Sequence, residues 1–101
     1  MEVNITKQDK VTTAQLIGRL DTPASQEVAK TMEPLQENAG GTIILDCSQL
    51  EYISSSGLRI FLTLRKAAMA KGGNVIVRGM NEEIRTVFMM TGFLNLFQIE
   101  D

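Results

Sequence analysis

The sequence predicts an α/β protein, a small mixed sheet of four to five strands with helices packed against it. Short apolar runs of strand length alternate with longer segments whose apolar residues recur at helical spacing. Two strand–helix–strand units follow an opening hairpin, and right-handed crossovers make the strands of such units parallel. At 101 residues the chain fits one domain, residues 1–101.

The opening hairpin is indicated by two patterns of apolar residues. These patterns begin at Val3 and Val11 and lie on either side of a turn at residues 9–10. Gly18 is expected to end the second strand, and residues 19–21 to form a loop.

A first helix is expected after this loop. Thr22 is a candidate N-cap, and Pro23 suits the first helical position. Residues 38–41, which include two glycines, are expected to end the helix. Its apolar face is predicted at Val28, Met32 and Leu35.

The second half of the chain alternates strands and helices. Residues 42–47 form a near-continuous apolar run, which predicts a strand covered on both faces. A short polar loop and a second helix over about 55–71 follow, and a strand is predicted at 74–78. Asn81 is a candidate N-cap for a third helix that ends near Gly92 and precedes a closing apolar tail.

Composition and charge limit the function classes. The net charge is −2 and the one short basic pair is Arg65-Lys66, so direct nucleic-acid binding is not expected. A lone cysteine, Cys47, favours a reducing compartment. The sequence has no signal peptide and no apolar run long enough for a bilayer, which predicts a cytoplasmic protein without membrane contact.

Catalytic chemistry is not expected. The chain has no histidine, so neither Ser-His-Asp nor Cys-His arrangements are possible. Metal-ligand spacings and glycine-rich phosphate-binding motifs are absent from the sequence. We therefore predict no catalytic residue, no metal and no cofactor, and we expect the protein not to be an enzyme.

The segment from Asp46 to Arg59 organises the rest of the chain. An apolar strand leads into a polar loop, then into Ser54, Ser55 and Ser56 at the start of a helix. Ser54 is the expected N-cap. The first turn of a helix carries unpaired N–H groups and a partial positive charge, so a serine there is a suitable position for a phosphate.

Five short motifs along the chain resemble those of the STAS domain family, whose best-known stand-alone members are bacterial anti-sigma-factor antagonists. In chain order they are Gly18-Arg-Leu-Asp21, Asp46-Cys-Ser48, Ser55-Ser-Gly-Leu58, Gly72-Gly73 and Thr91-Gly-Phe93. The resemblance implies that Ser55, two residues before the glycine, is the phosphoacceptor. The family often has aspartate where this chain has Ser54, so Ser54 and Ser56 stay as alternatives.

The resemblance also implies a function, partner switching in transcription regulation. The unphosphorylated protein would bind an anti-sigma factor that is also an ATP-dependent serine kinase, and a sigma factor would be released. Phosphorylation of Ser55 would end the interaction, and a metal-dependent serine phosphatase would restore it. The alternative is a constitutive STAS interaction subunit of a larger regulatory or transporter assembly. A nucleotide-binding or enzymatic domain is a third and less favoured interpretation.

The predicted partner surface surrounds the serines. Asp21 and Asp46 are expected at strand ends, at the same end of the sheet as the serines. Each carboxylate there either binds backbone N–H groups or, as the family resemblance implies, flanks the phosphoacceptor. Gly57 either admits a partner's backbone or relieves crowding between strand and helix. The residues assigned to partner binding are Asp21, Asp46, Ser54, Ser56, Gly57, Arg59, Leu62, Lys66 and Met69.

Helical spacing divides the second helix into faces. At 100° per residue, Leu62 and Met69 lie within about 40° of Ser55 around the helix axis. Phe61 and Leu64 lie nearly opposite the solvent side and are expected in the core. The band with Leu62 and Met69 is either the margin of a wide core face or a pair of apolar anchors for a partner.

Overall fold

The computed structural model describes residues 1–37 and 40–100. It confirms the α/β class, with a mixed five-stranded sheet and three α-helices. The elements in chain order are β1 Glu2–Gln8, β2 Val11–Leu20, α1 Thr22–Glu37, β3 Thr42–Ile53, α2 Ser55–Ala70, β4 Asn74–Arg78, α3 Glu82–Thr91, a 3-10 helix at Phe93–Asn95, and β5 Gln98–Glu100.

The sheet has the strand order β1-β2-β3-β4-β5. β1 and β2 form the predicted antiparallel hairpin, and the other neighbours are parallel. Each crossover moves one position in the same direction, so the right-handed rule places α1, α2 and α3 on one face of the sheet. Met32, Phe61 and Phe88, one from each helix, accordingly belong to a single buried core.

The other face of the sheet, here the open face, carries no helix among the described elements. The expectation that residues 42–47 are covered on both faces is therefore wrong. Ile44 of β3 and Ile76 of β4 are register partners on this face and lie outside the helix-side core. They are nonetheless only 9% and 8% exposed.

Polar side chains that bond to one another flank these two isoleucines on the open face. The Thr42 hydroxyl donates to Asn74 Oδ1 (2.9 Å), and Asn74 Nδ2 donates to Gln98 Oε1 (3.3 Å). On the other side of the pair, Arg78 and Glu100 form an ion pair at 2.9 Å. Because alternate residues of a strand share a face, these groups border Ile44 and Ile76.

Two strands extend further than the sequence predicts. β3 continues beyond Cys47 to Ile53, so the polar loop expected there is wrong. β4 ends opposite Asp46, and from that point β3 pairs with β2 alone. β2 likewise does not end at Gly18 but continues to Leu20. Gly18 has a φ of +105°, and the pairing register with β3 shifts between Gly18 and Arg19.

Most of the predicted helix ends are confirmed. Ser54 and Asn81 are the N-caps of α2 and α3, and Gly72 lies just after α2 with a φ of +77°. The N-cap predicted for α1 is wrong, because Asp21 Oδ1, rather than Thr22, accepts the N–H of Ala24 at 3.0 Å. The predicted end of α1 includes residues 38 and 39, which lie outside the described residues.

Candidate functional site

The starts of α1 and α2 lie at the same edge of the sheet. β2 and β3 are parallel neighbours, and each leads directly into its helix. A backbone hydrogen bond from the Ser54 N–H to the Leu20 carbonyl, 2.9 Å long, joins the two junctions. The positive ends of two helix dipoles therefore lie side by side at the serines.

The three serines occupy different environments. Ser54 is 7% exposed, and its Oγ accepts the Gly57 N–H at 3.2 Å. Ser56 is half-buried, whereas Ser55 is exposed. A kinase must reach the oxygen that it modifies, so this arrangement favours Ser55 over Ser54, and the assignment of the phosphoacceptor stays a prediction.

Gly57 has a structural reason to be glycine. It is buried, and a Cβ at this position would lie 2.7 Å from Leu20 Cγ and 2.9 Å from Ile53 Cγ1. Such contacts are far inside normal van der Waals separation, so a side chain would push α2 away from the sheet. The relief of crowding predicted as one alternative is therefore present, and a partner contact at Gly57 stays untested.

The two aspartates do not share one location. Asp21 caps α1 at the edge of the sheet beside the serines. Asp46 lies within β3 rather than at its end, so its predicted position is wrong. Its Oδ1 accepts the Ser48 N–H at 3.0 Å, where the pairing of β2 with β3 shifts register. Seven residues of strand, roughly 20 Å, separate Asp46 from the end of β3.

The faces of α2 follow the predicted helical phase. Phe61, Leu64 and Ala68 are buried, whereas Arg59 and Lys66 are exposed. On the flank that carries Ser55, Leu62 is half-buried and Met69 is 62% exposed. Leu62 and Met69 are thus accessible apolar side chains in line with Ser55, and their role as partner anchors stays a prediction.

Aromatic contacts hold α2 against the rest of the core. The Phe61 ring makes edge-on contacts with Phe88 and Phe97, with centroid separations of 5.9 and 6.4 Å. Phe88 belongs to α3 and Phe97 precedes β5, so two other segments pack against α2 at this ring. Aromatic pairs of this kind add to the stability that burial supplies. The serines are therefore presented on a firmly packed element.

A groove between α1 and α2 was not predicted. It has a volume of about 330 Å³ and opens beside Ser56. Its lining residues come from both helices, so no contiguous motif reveals it. They are Thr22, Ser25, Gln26 and Ala29 of α1 with Ser56, Arg59, Ile60 and Thr63 of α2, and we call this the α1–α2 groove.

One further pair near the serines was also missed. Arg19 lies over the ring of Tyr52, with its guanidinium carbon 4.6 Å from the ring centroid. The two residues are register partners near the ends of β2 and β3, on an exposed part of the surface. Their separation in sequence gave no local signal of this contact.

Two observations concern metal binding and thiol reactivity. Within 1–37 and 40–100, no group of three or more His, Cys, Asp or Glu side chains could hold a metal ion. Burial, with a smaller contribution from the Asp46 charge, raises the pKa of the Cys47 thiol to about 12. The thiol therefore keeps its proton at neutral pH.

None of the described helices is both long and apolar enough to cross a bilayer.

Fold and site together define a small α/β domain that presents a hydroxyl-bearing helix start on a rigid support. The chain belongs to the STAS domain family, whose model matches residues 2–101. A curated relative is the anti-sigma-B factor antagonist of Staphylococcus aureus, which is 23% identical over 101 residues. That alignment covers all of this chain and 94% of the relative.

Solved structures confirm the fold. A crystal structure from Thermotoga maritima matches with a TM-score of 0.89 at 20% identity, covering 98% of this chain and 86% of that one. The anti-sigma factor antagonist SpoIIAA in its unphosphorylated form matches with a TM-score of 0.77, also at 20% identity, covering 99% and 88%. The phosphorylated form of the Bacillus protein gives 0.76 at 20% identity, covering 97% and 90%.

Proposed function

We propose that this chain is an anti-sigma-factor antagonist switched by phosphorylation of Ser55. The unphosphorylated form binds an anti-sigma factor that is also a serine kinase, and a sigma factor is released. The observation that carries the proposal is the exposed Ser55 at the start of α2, in a STAS domain with a curated relative named as an antagonist. Because its partners act on transcription, the proposed compartment is the cytoplasm.

The chemistry belongs to the partners, and this chain is their substrate. The kinase transfers the γ-phosphoryl group of ATP to Ser55 Oγ, the hydroxyl proton is removed, and ADP leaves. A metal-dependent serine phosphatase then uses water to release inorganic phosphate and restore the hydroxyl. The chain itself needs neither a catalytic residue nor a cofactor for this cycle, and we propose that it is not an enzyme.

The energetics favour a switch without refolding. A phosphate adds roughly −1.5 to −2 charges at neutral pH. Ser55 is exposed, so the group stays hydrated in the free protein, and the start of α2 is electrostatically favourable for an anion. Within an interface, an unpaired buried charge costs about 3–5 kcal/mol. That cost corresponds to a loss of roughly two to four orders of magnitude in affinity.

The proposed partner surface follows the exposed side of the site. Asp21 and Ser56 lie beside Ser55 at the edge of the sheet, and Arg59, Leu62, Lys66 and Met69 extend along α2. Ser54 and Gly57 are buried and contribute by shaping the start of the helix. Asp46 faces the open face, away from this surface, and acts through the backbone of β3.

The test uses the anti-sigma factor kinases of the source organism, each expressed and purified separately. Each is titrated with the wild-type chain, and ATP is then added while intact mass is followed. One kinase is expected to bind and to add one phosphoryl group, after which the complex dissociates. Ser55→Ala should bind equally well and stay unmodified, whereas Ser54→Ala and Ser56→Ala serve as matched controls.

Two results would contradict the proposal. Binding that persists with no added phosphate would favour the constitutive interaction subunit instead. Equal labelling of the wild type and Ser55→Ala would move the modified hydroxyl to Ser54 or Ser56.

A further inference from the structure

We propose that Arg59 reads the phosphorylation state of Ser55, by binding a carboxylate of the partner when Ser55 is free and the phosphate when it is not. This inference rests on the proposed function, because it explains how the same modification is converted into dissociation. The partner's carboxylate and the phosphate on Ser55 compete for the guanidinium of Arg59, and this competition lowers the affinity for the partner.

Arg59 is within reach of the phosphoacceptor. It follows Ser55 by four residues on the same helix, and such side chains are neighbours whose Cβ atoms are about 5–6 Å apart. Arg59 is exposed, and its guanidinium has no hydrogen-bond or ion-pair partner among residues 1–37 and 40–100. The group is therefore uncommitted in the unphosphorylated chain.

Arg59 also belongs to the α1–α2 groove. It is the one charged side chain among the described residues that line the groove, whose apolar portion includes Ala29 and Ile60. A groove with a cation and no carboxylate in its lining is complementary to an acidic segment of a partner. A guanidinium can bind such a carboxylate through two parallel hydrogen bonds.

Phosphorylation changes which anion is favoured. A phosphate on Ser55 is covalently attached, so its effective concentration at Arg59 far exceeds that of a dissociable partner. It also carries more charge than a carboxylate and three strong acceptor oxygens. Arg59 then turns to the phosphate, and the groove loses its cation while the backbone of α2 is unchanged.

We define the phosphorylation penalty as the factor by which phosphorylation of Ser55 lowers the affinity for the partner. This mechanism and simple charge repulsion predict different changes in that penalty when Arg59 is removed. If phosphorylation acts by repulsion alone, removal of Arg59 leaves the phosphate less compensated, and the affinity penalty stays equal or grows. If Arg59 instead binds either the partner's carboxylate or the phosphate, Arg59→Ala removes the contact with the carboxylate before phosphorylation does. Phosphorylation then has less affinity to remove, and the penalty shrinks. The phosphorylation penalty in Arg59→Ala therefore distinguishes the two.

The experiment is a double-mutant cycle with the kinase that binds the wild type. Phosphoserine is installed at position 55 during translation, so no variant depends on kinase recognition. Affinities are measured for wild type and Arg59→Ala, each with serine or phosphoserine. Arg59→Ala should weaken unphosphorylated binding roughly tenfold, as expected for loss of a charged hydrogen bond. It should reduce the phosphorylation penalty by a similar factor.

Lys66→Ala is the charge-matched control. It removes a cation from the same helix, but it lies three turns from Ser55, beyond the reach of its phosphate. Its phosphorylation penalty should equal that of the wild type. A penalty in Arg59→Ala that is equal to or larger than the wild-type penalty overturns the proposal. A wild type that binds no kinase would instead overturn the proposed function, so the two failures are distinguishable.

A second measurement needs no partner. The phosphorus resonance of phosphoserine 55 in the isolated chain is followed through a pH titration. Arg59 should lower the second pKa of the phosphate, and Arg59→Ala should return it towards about 6, whereas Lys66→Ala should not change it. An unchanged phosphate pKa in Arg59→Ala also contradicts the proposed contact.

Discussion

At the scale of single residues, the backbone position of a hydroxyl decides what it can do. Ser54, Ser55 and Ser56 are adjacent and chemically identical, yet Ser54 is committed to a backbone N–H while Ser55 faces solvent. A sequence predicts such a division when the helix start is marked, because the N-cap hydroxyl is turned back towards the first turn. The crowding that requires glycine at position 57 comes from Leu20 and Ile53 at the ends of two strands. The sequence does not show how close these side chains lie, so crowding at Gly57 could be predicted only as one of two alternatives.

The division of roles predicts unequal effects on stability. Ser54→Ala removes the cap of α2 and should lower the free energy of unfolding by about 0.5–2 kcal/mol. Ser55→Ala removes an exposed hydroxyl and should change it by less than about 0.5 kcal/mol. Urea denaturation of both variants checks this. Ser54→Asp, which keeps an acceptor at the cap, should restore most of the loss, and equal stabilities of the two alanine variants would contradict the assigned roles.

Cys47 predicts a dependence of stability on alkaline pH. Burial first, and then the Asp46 charge, raise the pKa of this thiol from 9.0 to about 12. Between these values the unfolded chain loses the proton and the folded chain keeps it, so the folded state binds more protons and stability falls as pH rises. The free energy of unfolding should fall by up to about 1.4 kcal/mol per pH unit more in the wild type than in Cys47→Ala.

Denaturation at several pH values from 8 to 10.5 measures this difference between the two proteins. Every contribution that the two proteins share cancels in the comparison. Parallel pH profiles for the wild type and Cys47→Ala would show that the thiol is not protected in the folded state.

At the scale of elements, α2 was predicted closely and β3 was not. The spacing of apolar residues in α2 predicts which face of the helix is buried, because one face packs on the core and the other is exposed to solvent. The second part of β3 is polar on its exposed side, and Asp46 and Ser48 are typical of a loop. They lie instead at a register shift, where the Asp46 side chain satisfies the Ser48 N–H. Pairing with β2 is a tertiary interaction that local composition does not encode.

The half-buried flank of α2 gives a test of the partner surface. Leu62→Asp should weaken binding of the anti-sigma factor severely and cost little stability, because Leu62 is partly exposed beside Ser55. Leu64→Ala should do the reverse, with a loss of about 2–5 kcal/mol from the cavity left at a fully buried site. A thermal melt beside a binding titration separates the two effects. If Leu62→Asp unfolds the domain as badly as Leu64→Ala, this flank is core and not a partner surface.

At the scale of the whole molecule, the sequence predicted the connections of the sheet but not its one-sided cover. The parallel pairing follows from the strand–helix–strand units and the right-handed rule, whereas the strand order β1-β2-β3-β4-β5 is known from the structure. The apolar run at residues 42–47 predicts a strand covered on both faces, but no described helix covers Ile44 on the open face. Hydrogen-bonded polar side chains of β3, β4 and β5 lie beside Ile44 and Ile76 on this face instead. These contacts join residues far apart in sequence, so no pattern within one strand predicts them.

The polar cover of the open face should keep the chain from associating through its sheet. In the double variant Asn74→Leu, Gln98→Leu, two apolar side chains would join Ile44 and Ile76 in one exposed patch, and a large patch of this kind favours protein–protein contact. We expect self-association that increases with concentration, measured by sedimentation velocity. Stability should change little, because both substituted side chains are exposed. Asn4→Leu is the control, since it makes the same change on the same face beside polar Glu2 and Gln15. If the double variant sediments as the wild type does at every concentration, shielding by Asn74 and Gln98 is not what keeps this face free.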